Sequence, residues 1–140
     1  MCLVCENLNY KIAEEDIVCY KVVFELDKKS YMTPYQQYCC KLDEHCVNKG
    51  TISIKRFSKD SNYYIYGGMF HSYQKLSDAC LDMLWFNSLG KHTIVIKCII
   101  PKGTHYIEGN FGNMVCTPCY GSREIIYKEE HRNCKITVNK

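Results

Sequence analysis

Two pairs of cysteines in this chain have the spacing of metal ligands. They are Cys2-x-x-Cys5 near the start and Cys116-x-x-Cys119 near the end. Four thiolates suit a tetrahedral zinc ion. About 110 residues separate the two pairs, so only the fold could bring them together, and no spacing rule supports that. We therefore favour isolated thiols with no bound metal, and zinc is the alternative.

The cysteine count and the first residues of the chain indicate a cytoplasmic protein whose thiols stay reduced. The total of 11 is odd, which leaves one thiol unpaired in any fully bridged scheme. The chain opens MCLVCEN, without the basic start and apolar core of an export signal. We therefore expect a cytoplasmic location, where thiols stay reduced. Cys19, Cys80 and Cys98 occupy apolar positions, and a free cysteine there behaves as a small core residue.

Tyrosines and cationic residues recur around the turns of the chain, which contains 12 tyrosines. Aromatic faces beside cations provide base stacking and phosphate neutralisation, the two requirements of a nucleotide-type ligand. His71 follows a Gly-Gly bend at the start of a predicted helix, where an imidazole could bind an anion. The alternatives are half-buried structural tyrosines and a His71 ring that bonds a backbone carbonyl. The predicted ligand-binding residues are Lys21, Tyr35, Tyr66, His71, Ser72, Lys102 and Arg123.

The standard catalytic motifs are missing from the sequence. It contains no Walker loop, no HExxH or GxSxG motif and no paired carboxylates. A Cys-His nucleophile needs an activated thiolate, and no family-type signature surrounds any of the cysteines. We therefore predict no catalytic residues, no cofactor and no metal, and we favour a protein that is not an enzyme.

Composition limits the partners. Hydrophobic residues make up 46% and charged residues 24% of the chain, values typical of a globular protein. The net charge of +3 is too small to indicate a nucleic-acid binder. The longest apolar stretch, residues 93–100, is too short to cross a bilayer, so we expect no membrane partner. The length fits a single domain over residues 1–140.

The sequence predicts a fold of strands and one helix that positions the predicted ligand-binding residues. Apolar residues at intervals of three and four predict one principal helix over about 74–88, ended by Gly90. Pro34 makes 30–40 a loop or edge segment. Strand patterns occur at 16–26, 51–57, 63–66, 92–100, 105–108, 123–128 and 135–138. The predicted fold class is α+β, with a mainly antiparallel sheet of about six short strands.

Four segments carry a resemblance to known proteins: IAEEDIVCYKVV at 12–23, TPY at 33–35, MFHSY at 69–73 and VIKCIIPKGT at 95–104. Together they resemble a family of short uncharacterised proteins from gut bacteria and their phages. The likeness covers most of the chain and implies a phage context, with the host cytosol as the location, but no established activity. Cys5 departs from the family pattern, in which the opening Met-Cys-Leu has no second cysteine nearby.

A looser likeness concerns a glycine-aromatic turn at 67–71, the helix after it and the following strand. These are similar to the core of ADP-ribosyltransferase-like folds, which hold NAD. That resemblance implies a His or Arg on the first strand and a late glutamate. The first strand offers Tyr20-Lys21 instead, and the late glutamate would be Glu124 or Glu108. Because the first strand lacks the expected His or Arg, the resemblance implies a nucleotide-binding version of the fold.

We therefore expect a small non-enzymatic protein that binds a nucleotide-like ligand of the cyclic nucleotide or ADP-ribose type. The phage resemblance implies that it sequesters a nucleotide immune signal and so blocks host antiviral defence. One alternative is an ADP-ribosyltransferase-like enzyme that uses NAD. The other is a protein-interaction module that binds a host protein through aromatic loops. A homodimer is compatible with each of these functions.

Overall fold

The protein folds into one long antiparallel sheet with a helix packed on it, in a computed structural model that describes residues 3–27, 29–34, 38–56, 61–111, 117–132 and 134. The elements are β1 (Leu3–Cys5), β2 (Lys11–Ile12), β3 (Ile17–Asp27), β4 (Ser30–Met32), β5 (Cys39–Lys41), β6 (His45–Val47), β7 (Ile54–Arg56), β8 (Tyr63–Ile65), β9 (Phe70–Tyr73), α1 (Leu76–Ser88), β10 (Thr93–Ile100), β11 (His105–Phe111), β12 (Pro118–Ser122) and β13 (Glu124–His131). The main path of the sheet runs β6-β13-β10-β3-β9-β12-β11-β1-β8-β7.

The prediction of about six short strands is wrong, because the described residues form a sheet of 13 strands. The missed strands are mostly two or three residues long, such as β1, β2 and β5. So short a segment cannot show the alternation that identifies a strand in a sequence. One helix on a mostly antiparallel sheet is still α+β in kind. The suggested ADP-ribosyltransferase-like fold was part of the prediction that is wrong, and we do not propose it again.

The long strands follow the predicted segments. β3 and β10 pair antiparallel over eight residues, from Thr93 opposite Phe24 to Ile100 opposite Ile17. Both are rich in β-branched residues, which suit a buried pleated surface. The expected strand at 51–57 is reduced to β7, and the expected strand at 135–138 lies outside the described residues.

The predicted helix is confirmed at Leu76–Ser88. It buries Ala79, Cys80, Met83 and Phe86 against the sheet, whereas Leu84 is 43% exposed. Gly90 follows with a φ of 80°, the left-handed conformation that commonly ends a helix. Among the described residues, no helix combines the length and the apolar character needed to cross a membrane.

Both faces of the sheet carry a hydrophobic core. On β3, Val22 packs in the core beneath α1, and its neighbours Cys19 and Val23 pack in the core on the other side. Cys98 joins this second core directly opposite Cys19. Cys19 and Cys98 are therefore small core residues, as predicted.

Cys80 is not the free thiol that was predicted. It forms a disulfide with Cys134, with 5.4 Å between the Cα atoms and 54 positions between the two residues in sequence. This bond ties the chain after β13 to the buried face of α1. Sequence spacing cannot reveal such a pair, because the fold alone brings the two residues together.

Strand β1 lies unusually close to β11. A Cβ atom on Gly109 would lie 2.6 Å from the carbonyl oxygen of Val4 and 2.8 Å from the sulfur of Cys5. Two positions further along β11, Phe111 pairs with Leu3. Gly109 is therefore required for β1 to dock on β11, the strand that carries Phe111.

Candidate functional site

A cavity of about 470 Å³ opens between α1 and the ends of β9, β11 and β12, and we call it the acidic aromatic pocket. Its volume lies within the range of about 300–1,000 Å³ that is usual for small-ligand sites. The described residues that line it are Tyr73, Asp78, Leu81, Asp82, Trp85, Phe111 and Thr117.

The helix contributes four of these residues because of its period. Asp78, Leu81, Asp82 and Trp85 are spaced at i, i+3, i+4 and i+7, which places them on one side of α1. This side is adjacent to the face that packs on the sheet. A single helix therefore supplies both carboxylates of the pocket and one of its aromatic rings.

The aromatic walls come from three separate elements. The ring of Tyr73 at the end of β9 stacks on the ring of Phe111 at the end of β11, with centroids 5.8 Å apart and an interplanar angle of 28°. Trp85 on α1 contacts Phe86 edge to face and remains 55% exposed. The pocket therefore has a stacked inner wall and an exposed indole at its rim.

The two carboxylates have different environments. The hydroxyl of Tyr73 donates a 2.8 Å hydrogen bond to Oδ2 of Asp82. Burial raises the pKa of Asp82, and the bond from Tyr73 opposes that rise. Oδ2 of Asp78 is buried and accepts no hydrogen bond from the described residues. This oxygen of Asp78 can therefore still accept a hydrogen bond, and buried carboxylate oxygens normally have a donor.

The pocket is electronegative. Its lining, as far as the chain is described, contains Asp78 and Asp82 but no lysine, arginine or histidine. Burial, followed by the charge of Asp78, raises the pKa of the neighbouring Cys119 thiol to about 12. Such a site attracts N–H donors and repels phosphate.

A second cavity, of about 380 Å³, lies at the same end of the sheet and is lined mainly by polar residues. The described lining residues are Val4, Glu6, Asn7, Asn9, Lys11, Gln74, Glu108, Gly109, Asn110 and Pro118. Three neighbour pairs, 73–74, 110–111 and 117–118, each give one residue to each cavity. Asn110 and Phe111 are adjacent residues of β11 and so point to opposite faces, which places the two cavities on opposite sides of the sheet end.

Three of the predicted ligand-binding residues lie together but are buried. The Nζ atom of Lys21 donates a 2.5 Å hydrogen bond to the carbonyl oxygen of His71. Burial lowers the pKa of Lys21, and burial followed by the Lys21 charge lowers the pKa of His71 to about 3. Ser72 is also buried, and its hydroxyl oxygen has no hydrogen-bond partner in the described chain. None of the three lines either cavity.

The other predicted residues are dispersed. Nη1 of Arg123 donates to the carbonyl oxygens of Gly50 at 2.7 Å and Gly68 at 2.5 Å. Tyr66 lies beneath the ammonium of Lys55 at 5.2 Å from the ring centroid. The structure therefore does not bring the predicted cations and tyrosines to one site.

Two predicted residues complete the set. The backbone N–H of Lys102 donates to Oδ1 of Asp16 at 2.8 Å, which fixes the turn after β10. Tyr35 lies outside the described residues.

Two of the four cysteines of the zinc alternative, Cys2 and Cys116, lie outside the described residues. Cys5 and Cys119 are both buried free thiols. Burial raises the pKa of Cys5 to about 11 and that of Cys119 to about 12, so both hold their protons at neutral pH. Within the described chain, no group of three or more metal-ligating side chains is present.

The glutamates of the enzyme alternative each lie beside a basic side chain. Oε1 of Glu124 is 2.8 Å from Nε2 of His45, and Glu108 pairs with Nζ of Lys11 at 3.0 Å on the edge of the second cavity. Neither glutamate lines the acidic aromatic pocket.

Sequence reasoning missed the residues of the acidic aromatic pocket. One signal was present: Asp78, Asp82 and Trp85 form a stripe at helical spacing beside the apolar face of the predicted helix. Tyr73 and Phe111 gave no such signal, because their contact joins strands far apart in the chain.

Comparison with known proteins finds no matching family model, no matching curated protein and no matching solved structure. The resemblance to short phage and gut-bacterial proteins therefore stays a prediction.

Proposed function

We propose that this protein is a small non-enzymatic ligand-binding protein whose ligand enters the acidic aromatic pocket. The observation that supports the proposal is the convergence of three aromatic rings and two carboxylates on one cavity of about 470 Å³. Pockets with largely aromatic walls and a few placed polar groups are the usual architecture of small-molecule sites.

The ligand in this proposal is nucleotide-like and enters base first. Stacking of a base on an aromatic side chain contributes about 1–3 kcal/mol. Tyr73, Trp85 and Phe111 supply the rings, and Asp78 supplies an acceptor for base N–H groups. The phosphates stay outside the electronegative interior. This differs from the phosphate contacts expected of Lys21 and Arg123, because those cations bond backbone carbonyls.

The biological role in this proposal is sequestration of a nucleotide-like signal in the cytosol of the host cell. Sequestration requires tight binding and no chemical reaction, which is compatible with a pocket built from stacking surfaces and acceptors. The enzyme alternative would place its chemistry at Glu108 or Glu124, and both lie away from this pocket.

The single tryptophan provides a local test, because Trp85 is at the rim of the pocket. Purified protein would be titrated with nucleosides, cyclic nucleotides and ADP-ribose while Trp85 fluorescence and the melting temperature are recorded. We expect a saturable fluorescence change with at least one of them. Ligand at 100 times its Kd would also add about 2.7 kcal/mol to the free energy of unfolding.

Two variants make the test specific to the pocket. Phe111→Leu removes the stacking partner of Tyr73 and should weaken binding, whereas Leu89→Ala changes an exposed residue outside the lining and should not. If no compound in the panel changes the fluorescence or the melting temperature, the proposed function is wrong. Equal weakening by both variants would place the ligand elsewhere.

A further inference from the structure

We infer that the acidic aromatic pocket is specific for a guanine-type base, one that presents adjacent N–H donors on a single edge. The inference rests on the proposed function and specifies its ligand class. The pattern of acceptors on α1 and the stacked rings above them support it.

The two carboxylates of the pocket offer only acceptors to a ligand, and the donor groups of the described lining are the indole N–H of Trp85 and the hydroxyl of Thr117. Ionised carboxylates only accept hydrogen bonds. Asp78 has an Oδ2 without a partner in the described chain, and the hydroxyl proton of Tyr73 is already directed at Asp82. A pair of adjacent donors on the ligand therefore matches the two carboxylates, and an acceptor placed opposite either carboxylate is repelled.

The two carboxylates are also spaced for two donors. Asp78 and Asp82 are four residues apart on α1, where side chains are neighbours at about 5–6 Å between Cβ atoms. Like charges at this spacing destabilise a helix. A pair of N–H donors placed between the two carboxylates reduces their repulsion. Binding of the base therefore relieves an unfavourable interaction that is present in the free protein.

Among the common bases, guanine alone fits this wall. Its N1–H and 2-amino group lie side by side. Adenine and cytosine each place one amino group beside a ring nitrogen that accepts, and uracil places its N–H between two carbonyls. An acceptor facing a carboxylate leaves both groups without a donor, and burying an unpaired polar group disfavours binding.

The rings complete the recognition without adding sequence preference. Tyr73 and Phe111 are stacked on each other before any ligand binds, and Trp85 is exposed at the rim. Each can offer a face to a planar base, and stacking tolerates every base. Selectivity must therefore come from the carboxylates, and the rings supply affinity.

The test uses nucleosides without phosphate, so that repulsion from the pocket does not mask recognition of the base. Trp85 fluorescence would be titrated with guanosine, inosine and adenosine. Inosine differs from guanosine only by the missing 2-amino group. We expect guanosine to bind at least about tenfold more tightly than either, equivalent to about 1.4 kcal/mol.

The carboxylates are tested by Asp78→Asn, which keeps the side-chain shape and should reduce the preference for guanosine over inosine to less than about threefold. Asp82→Asn is a second variant if the first one fails to fold, and melting curves report folding for both. Equal affinity for the three nucleosides, or a preference unchanged in both variants, overturns the inference and leaves the proposed function intact. Binding of no ligand in either titration overturns both.

Discussion

The hydroxyl of Tyr73 donates a hydrogen bond to Oδ2 of Asp82 at 2.8 Å and so connects the end of β9 to the side of α1 that lines the pocket. The same ring stacks on Phe111 at 5.8 Å. One tyrosine thus joins the aromatic wall to the acidic wall of the pocket. The pocket is therefore organised before a ligand binds, which reduces the conformational entropy lost on binding.

The substitution Asp82→Asn should stabilise the free protein at pH 7. The amide oxygen still accepts from Tyr73, the cost of burying a charge disappears, and repulsion from Asp78 ends. We expect the melting temperature to rise by about 3 °C, which corresponds to about 1 kcal/mol.

The pH dependence of this difference has a defined sign. Because the pKa of Asp82 is raised in the folded state, the folded wild type takes up a proton more readily than the unfolded chain as pH falls. The advantage of Asp82→Asn should therefore shrink as pH falls towards the ordinary aspartate value of 3.8. Melting curves from pH 8 to pH 4 measure it. A pH-independent gap, or a lower melting temperature at pH 7, would contradict the prediction.

Buried His71 should make the protein sensitive to mild acid. Burial lowers its pKa from 6.5 to about 3, so the unfolded chain binds a proton before the folded protein does. Stability is then complete above pH 6.5 and is lost as pH falls towards 3, by up to about 1.4 kcal/mol per pH unit from this group. Urea unfolding at several pH values measures the slope.

His71→Leu provides the matched comparison, because Nε2 of this buried ring has no hydrogen-bond partner in the described chain. The variant lacks the titrating group, so its stability should rise relative to the wild type as pH falls from 6.5. Parallel pH profiles for the two proteins would show that His71 is not the group responsible.

The long elements were predictable from the sequence, and most of the sheet was not. β3, β10 and α1 each carry enough residues to show a clear pattern, whereas strands such as β1 depend on partners distant in sequence. Charge and residue type also gave no indication of the acidic aromatic pocket. Lys21 and Arg123 looked like phosphate ligands, but tertiary structure directs both at backbone carbonyls. Such bonds cannot be inferred from one chain without its fold.

Arg123 should matter for stability and not for ligand affinity. Its two hydrogen bonds hold the carbonyls of Gly50 and Gly68 together, and hydrogen bonds from charged groups contribute about 1.5–3 kcal/mol. Arg123→Met should therefore cost about 2–3 kcal/mol of unfolding free energy, and Arg123→Lys should cost less. Nucleoside and ADP-ribose affinities of the folded variants should equal those of the wild type. A selective loss of ADP-ribose binding would instead support the predicted ligand contact.

The Cys80–Cys134 disulfide should stabilise the protein substantially. It closes a loop with a sequence separation of 54, for which loop-closure entropy gives about 4 kcal/mol. A reducing agent should lower the melting temperature of the wild type. Cys134→Ser should melt at that lower temperature with or without reductant. If reductant has no effect and Cys80 is alkylated in the native protein, the bond is not present in solution.

Gly109→Ala should weaken the docking of β1 on β11. The added methyl would meet the carbonyl oxygen of Val4 at 2.6 Å, and a backbone atom cannot move aside as a flexible side chain does. Overpacking of this kind costs about 1–3 kcal/mol. Gly67→Ala is the matched control, because its nearest contact would be at 3.5 Å. Gly121→Ala should fall between them, since it meets side-chain atoms of Leu3 at 2.9 Å and Ile107 at 3.2 Å.

Denaturant unfolding of the three glycine variants tests this order, and hydrogen exchange locates the damage. Amides of Leu3–Cys5 should exchange faster in Gly109→Ala than in Gly67→Ala, because β1 is the strand displaced. Phe111 pairs with Leu3, so the same variant should also weaken ligand binding at the acidic aromatic pocket. Equal stabilities for Gly109→Ala and Gly67→Ala would show that β1 does not pack against β11 as closely as the fold requires.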